Sequence, residues 1–200
     1  MSATIVYLHG FNSGPASVKA QKLGRGIAAL DPRSRPSYFV PQLPHRPAAA
    51  IRELMAWVDT NMSHSGEARL TLVGSSLGGF YATFLAEHYG AKAVLINPAI
   101  RPAKGLAPYL GPQRNPVSGE TYELTREHFA ELEAFNVVRV TEPQRYFLLV
   151  QSGDELLDWC EAVAFYGGAW QSVQGGGDHA FQHFETQIAP ILRFSGIADS

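Results

Sequence analysis

The sequence predicts an α/β fold, a three-layer arrangement in which a mostly parallel sheet of about six strands is flanked by helices. Two observations predict it. Short runs in which apolar residues follow one another, instead of alternating, recur along the chain, as strands buried on both faces of a parallel sheet require. Longer stretches with apolar residues at helical spacing separate them. At 200 residues, 46% apolar and 17% charged, the chain suits one sizeable core and is short for two, so residues 1–200 are read as a single domain.

Taken in order, the strand candidates are TIVYL (4–8), SYFVPQ (37–42), LTLVGS (70–75), AVLIN (93–97), YFLLVQ (146–151) and WQSVQG (170–175). In PAAAIRELMAWVDTNM, Pro47 suits a first helical position, where its missing N–H costs nothing. Ile51, Leu54, Met55, Val58 and Met62 then form one apolar stripe. GGFYATFLAEHYG ends at Gly90, a C-cap glycine. DELLDWCEAVAFYGG and the terminal FETQIAPILRF read as helices too. Strand following helix in this way calls for right-handed crossovers. The stretch 101–138 breaks the rhythm with Pro102, Pro108, Gly111, Pro112, Pro116 and Gly119, then the helix-like REHFAELEAF. It is too long for a plain connection, and either covers an active site or forms a surface excursion.

Composition removes several function classes. A formal charge of −2 gives no electrostatic reason to expect a nucleic acid or an anionic membrane as partner. The single cysteine, Cys160, forms no intramolecular disulfide and no multi-cysteine metal site, and its place in LLDWCEAVAF favours a packed thiol. MSATIVYLHG has neither the basic lead nor the apolar core of a secretory leader, and no run is long enough to span a bilayer. A cytoplasmic protein is expected.

The chemistry concentrates in LTLVGSSLGGF. Gly74-Ser75-Ser76-Leu77-Gly78 fits G-x-S-x-G between a strand and a helix, with Ser76 central. A sharp strand-to-helix turn strains the nucleophile's backbone, so its neighbours two residues away must be small. A phosphate loop of the G-x-x-x-x-G-K-[ST] type is a weak alternative, because no lysine occurs between Lys22 and Lys92. The plain alternative is a structural Gly-Ser turn.

A serine hydroxyl needs a base, and the base an orienting acid, in the chain order Ser, Asp or Glu, His on this kind of fold. His9, His45 and His64 precede the serine; His88 lies in the helix after it, and His128 in the helix of the 101–138 stretch. His179, on the glycine-rich loop of WQSVQGGGDHAF, is the base candidate, with His183 second. HAFQH spaces two histidines as a helical metal pair would, but an adjacent glutamate and a third ligand are missing, so no metal is expected. YFLLVQSGDELLDW supplies Asp154 directly off its strand, with Asp158 as runner-up and Glu155 as a residue that points elsewhere or caps the coming helix. Asp154 alone would also pass for a helix N-cap. In YLHGFNSGP, His9-Gly10-Phe11 falls at the C-terminal edge of the first strand, so the Phe11 N–H can join that of Leu77 as an oxyanion donor. His9 itself reads as a structural hydrogen-bonding residue.

With HGF, GSSLGG, GDELLDW and GGGDHAF in order, the chain resembles the α/β-hydrolase superfamily. More narrowly it is similar to the small YqiA-type bacterial esterases, through YLHGFNSGP, VPQLP, LVGSSLGGFYAT, INPAIRP, GDELLD and GGGDHAF, over nearly the whole chain. The resemblance implies an α/β-hydrolase core without a large lid domain, acting on short acyl esters. It places the triad on Ser76, Asp154 and His179 and the oxyanion donors on Phe11 and Leu77. Relatives often carry tyrosine where this chain has Trp159, a change that bears on packing more than chemistry. The expected activity is a serine carboxylic ester hydrolase with a small-molecule acyl ester as substrate. His9, Phe11 and Phe181 are the pocket candidates, and the chemistry needs no metal or organic cofactor. A thioesterase or acyltransferase on the same triad is the alternative, and a non-catalytic binding protein on the same scaffold a third.

Overall fold

A computed structural model describes residues 3–62 and 69–197, so His64 lies outside the described residues. Along the chain run β1 (Ala3–Leu8), α1 (Val18–Ala28), β2 (Ser37–Phe39), α2 (Pro47–Met62), β3 (Arg69–Ser75), α3 (Leu77–Tyr89) and β4 (Lys92–Ile96). They are followed by α4 (Pro102–Leu106), β5 (Gly111–Arg114), β6 (Thr121–Leu124), α5 (Arg126–Ala134), β7 (Tyr146–Gln151), α6 (Trp159–Phe165), β8 (Trp170–Gln174) and α7 (Ile188–Phe194). Six of the strands form one sheet in the order β2-β1-β3-β4-β7-β8, every neighbouring pair parallel. β5 and β6 form a separate antiparallel hairpin.

The consecutive apolar runs have the cause expected of them. Val6 and Leu8 of β1, Leu72 of β3, Leu95 of β4 and Leu148 of β7 face α2, α3, α5 and α6. Ile5 and Tyr7, Val73, Val94 with Ile96, and Leu149 face α1 and α7 on the other side. Both faces of the sheet are thus core, and a strand that alternated with polar residues would bury them unpaired.

Because all six strands run the same way, their C-terminal ends share one rim. Leu8, Ser75, Ile96, Gln151 and Gln174 end their strands there, and the segments after them carry His9, Ser76, Asn97, Asp154 and His179. Ligands of open parallel sheets bind on this rim.

Several elements depart from the expectations above. α1 was not expected; Ala20, Leu23 and Ile27 do form a buried stripe, but Gly24 and Gly26 hide it. Those glycines let α1 press onto its neighbours, since a Cβ on Gly26 would come within 2.5 Å of Ile188. SYFVPQ supplies strand only at Ser37–Phe39, ahead of Pro41, which cannot donate to a ladder. DELLDWCEAVAFYGG is helical only over Trp159–Phe165. The helix starts late because the Asp154 carboxylate accepts the N–H groups of Leu156 and Leu157 and holds them in a turn, and Asp158 then caps α6 by accepting from the Cys160 N–H. That start turns Ala162 inward and leaves Cys160 exposed, which corrects the packed thiol. HAFQH is not a helical pair, since Phe181 and His183 take positive φ values of 63° and 56°.

Residues 101–138 carry α4, the hairpin and α5. The hairpin is tied to the loop after β1: the Tyr122 hydroxyl donates to Asn12 Oδ1 at 2.8 Å and the Asn115 amide to the Ser13 carbonyl at 2.9 Å. α5 buries Leu132 and His128 against the core.

Candidate active site

Ser76 lies in the turn between β3 and α3 with φ 56° and ψ −122°, a conformation that costs a side-chain-bearing residue about 1–3 kcal/mol. The glycines around it are required by distance. A Cβ on Gly74 would come within 2.2 Å of the Gly78 carbonyl oxygen, and one on Gly78 within 2.0 Å of that of Leu8. Gly10 lies against the serine itself, its would-be Cβ 3.2 Å from Ser76 Cβ. Ser75 is buried and closes β3 in register with Ile96 of β4, so the doubled serine divides into one strand residue and one turn residue.

His179 stands between Ser76 and Asp154. Its Nε2 is 3.1 Å from Ser76 Oγ, and its Nδ1 is 2.9 and 3.0 Å from the two Asp154 carboxylate oxygens. A carboxylate only accepts, so Nδ1 carries the hydrogen and Nε2 presents its lone pair to the serine hydroxyl. The Asp154 side chain is 1% exposed. Burial alone pushes its carboxyl up, but the hydrogen bonds from His179 and from the N–H groups of Leu157 and Leu156 outweigh it and hold the carboxyl below its ordinary range. An ionised acid therefore faces a correctly tautomerised imidazole.

The N–H groups of Phe11 and Leu77 make no hydrogen bond to the protein among the described residues. Leu77 is the first residue of α3, where an unpaired N–H is expected. His9, 4% exposed, is fixed at both nitrogens: Nδ1–H donates to the Gly10 carbonyl at 3.0 Å and Nε2 accepts from the Leu43 N–H at 3.2 Å. Burial lowers its pKa, so it is a neutral brace for the turn that carries Phe11.

Other named residues fall elsewhere. Phe181 is 3% exposed and packs on Phe184 in the α1/α7 layer of the core, not on the groove beside the serine, which corrects its place among the pocket candidates. His183 is on the surface, 4.0 Å from Glu185. Among the described residues no group of three or more His, Cys, Asp or Glu side chains could hold a metal ion.

Two residues escaped sequence reasoning, and the expectation that Glu155 points elsewhere or caps the coming helix is corrected. Asn97, at φ 40° after β4, donates its amide to the carbonyls of Asp178 and His179 at 3.0 and 3.2 Å and accepts from the Gln151 N–H at 3.0 Å. Gln151 accepts from the N–H groups of Asp178 and Gln182 and donates to the Gln182 carbonyl. Glu155 accepts the His179 N–H at 3.0 Å. Together they clamp the histidine loop by its backbone. The available signal was a polar residue, in INPA and LVQ, ending a wholly apolar strand.

Beside Ser76 a groove opens between the loop after β1, residues 43–45 and the β5–β6 hairpin; Phe11, Leu77, His45, Tyr81 and Tyr122 line it. With a base, an orienting acid and two unpaired N–H groups at one serine, the arrangement can attack an acyl carbon and stabilise the resulting oxyanion.

Comparisons with known proteins agree with this architecture. A family model described as "Uncharacterised protein family (UPF0227)" matches residues 4–196. A UPF0227 protein of Yersinia enterocolitica is 24% identical over 196 residues, covering 95% of this chain and 97% of its own. Among solved structures, mouse alpha/beta hydrolase domain-containing protein 10 superposes with a TM-score of 0.71 at 17% identity, over 94% of this chain and 87% of its own. Est1E of Butyrivibrio proteoclasticus, with ferulic acid bound, gives a TM-score of 0.71 at 14% identity, over 97% of this chain and 88% of its own. The architecture is that of the α/β-hydrolase fold. Among the described residues no helix is long and apolar enough to cross a membrane.

Proposed function

Since the chain belongs to the UPF0227 family and carries the α/β-hydrolase fold, we propose that it is a serine-nucleophile carboxylic ester hydrolase acting on short acyl esters in the cytoplasm. The observation that carries this reading is the unbroken chain of hydrogen bonds from Ser76 through His179 to Asp154. His179 Nε2 takes the Ser76 proton as Oγ attacks the acyl carbon. The imidazolium is held by ionised Asp154, and the carbonyl oxygen gathers charge between the Phe11 and Leu77 N–H groups. Collapse expels the alcohol with the proton from His179, leaving an acyl-serine. Water then repeats the steps, with His179 as base, and releases the acid. The 101–138 excursion walls the substrate groove without closing over it as a lid domain would.

A fluorophosphonate probe followed by peptide mapping tests the nucleophile. Label on Ser76 that is lost in Ser76→Ala is expected, and folded protein that takes up none at Ser76 overturns the reading. Parallel assays on p-nitrophenyl butyrate and butyryl-CoA separate the ester hydrolase from a thioesterase.

A further inference from the structure

The groove beside Ser76 is not apolar throughout. Of the ring and amide groups that line it, His9, Asn12, Asn115 and Tyr122 are already bonded within the protein. Two are not. Tyr81 lines this groove and is 2% exposed, and its hydroxyl has no hydrogen-bond partner among the described residues. His45 is the other, and its tautomer follows from a chain of bonds. His128 Nδ1 accepts the Thr125 N–H at 3.1 Å, so the hydrogen of the neutral His128 ring sits on Nε2 and donates to His45 Nδ1 at 3.0 Å. Burial, helped by the Arg46 guanidinium, keeps His128 below the ordinary histidine range and hence neutral. His45 is left with its hydrogen on Nε2, which has no protein partner among the described residues. Its ring is held flat against Tyr122, 4.3 Å between centroids.

Direction is set by the chemistry at the serine. The leaving oxygen must face His179 to receive its proton, and the groove reaches the proposed oxyanion donors Phe11 and Leu77 on the side away from His179, with Ser76, His179 and Asp154 outside its lining. It therefore lies on the acyl side. Among the described residues, and histidines aside, Glu120 is the only acidic or basic side chain lining it, and a carboxylate there disfavours an anionic acyl group.

Resting on the ester-hydrolase reading, we infer that this groove is a subsite for a short, uncharged acyl group that carries a hydroxyl, held by the Tyr81 hydroxyl and the His45 Nε2–H. A hydroxyl shut off from water without a partner is costly, so a ligand that fills the groove must supply one, and a substrate hydroxyl can both accept from His45 and bond Tyr81. A plain aliphatic acyl group leaves both unpaired, which is how hydrogen-bonding sites reject analogues lacking the polar group.

Ethyl 3-hydroxybutyrate and ethyl butyrate differ by that hydroxyl and share an alcohol. We expect kcat/KM to favour the hydroxylated ester by about tenfold or more, and Tyr81→Phe, which keeps the packed ring, to bring the ratio to within about twofold of unity. A second measurement needs no turnover. In Ser76→Ala protein labelled at histidine nitrogens, 3-hydroxybutyramide should shift the His45 ring resonances and butyramide should not. A wild-type ratio near unity, a ratio unmoved by Tyr81→Phe, or His45 signals that ignore the hydroxyamide would each overturn the subsite. Failure of Ser76 to take fluorophosphonate would instead overturn the hydrolase reading, and the His45 shifts would still decide the subsite.

Discussion

Ser76 holds its backbone at φ 56°, a region that glycine enters freely and an L side chain does not. Ser76→Gly should therefore be more stable than the wild type by about 1 kcal/mol while losing all esterase activity; urea midpoints and p-nitrophenyl butyrate hydrolysis check both halves. Asp154→Asn, which can leave the imidazole in the wrong tautomer, should lower kcat by about 10⁴-fold. Asp158→Asn touches only the cap of α6 and should change kcat little. Asp154 also sets a pH dependence. Its folded-state pKa is depressed, so its contribution to stability is complete above the unfolded value of about 3.9 and is lost as pH falls through the lower folded value. The gap in urea midpoint between wild type and Asp154→Asn should accordingly be constant near neutrality and shrink below about pH 4. That Ser76, Asp154 and His179 would meet on one rim was legible because the proposed chemistry demands those residue types in that order on loops after strands. The unpartnered hydroxyl of Tyr81 was not, since whether a hydroxyl finds a partner depends on segments distant in sequence.

At the scale of elements, the rim of the sheet does more than present loops. Asn97 directly follows β4 and Gln151 ends β7, and these side chains hold the backbone of the loop after β8. Asn97→Ala would orphan the buried Gln151 N–H and two carbonyls, at a cost of about 1–3 kcal/mol. We expect a lower Tm and a reduced kcat with KM little changed, since the histidine would lose its position while the acyl groove stays intact; calorimetry and steady-state kinetics read the two effects. Helices with long apolar side chains, such as α2, were legible from their stripes. α1 was not, because its contacts are made partly by glycines, whose value lies in what fits against them. The late start of α6 was hidden for a related reason: Asp154 and Asp158 each accept backbone N–H groups, and a propensity reading cannot tell which turn they stop.

For the molecule as a whole, the 101–138 excursion packs α5 into the same core as α2, α3 and α6. We expect it to unfold with that core, so far-ultraviolet circular dichroism and tryptophan fluorescence should give coincident single transitions in urea. A separate early transition would mark the excursion as an independent unit. The layer order of the sheet was legible in outline from its apolar runs. The hairpin was not, because β5 and β6 are short and polar and gain their place by bonding Asn12 and Ser13. The pairing of β4 with β7 has a consequence for how the molecule comes into being. Those neighbours are separated in the chain by the whole excursion, and β8 joins only after them, so the half of the rim bearing Asp154 and His179 must wait for a long loop to close. Emerging from a ribosome, the chain exposes its serine turn well before His179, the proposed base, has been synthesised. On the proposed mechanism, reactivity is thus withheld until the loop after β8 has been made.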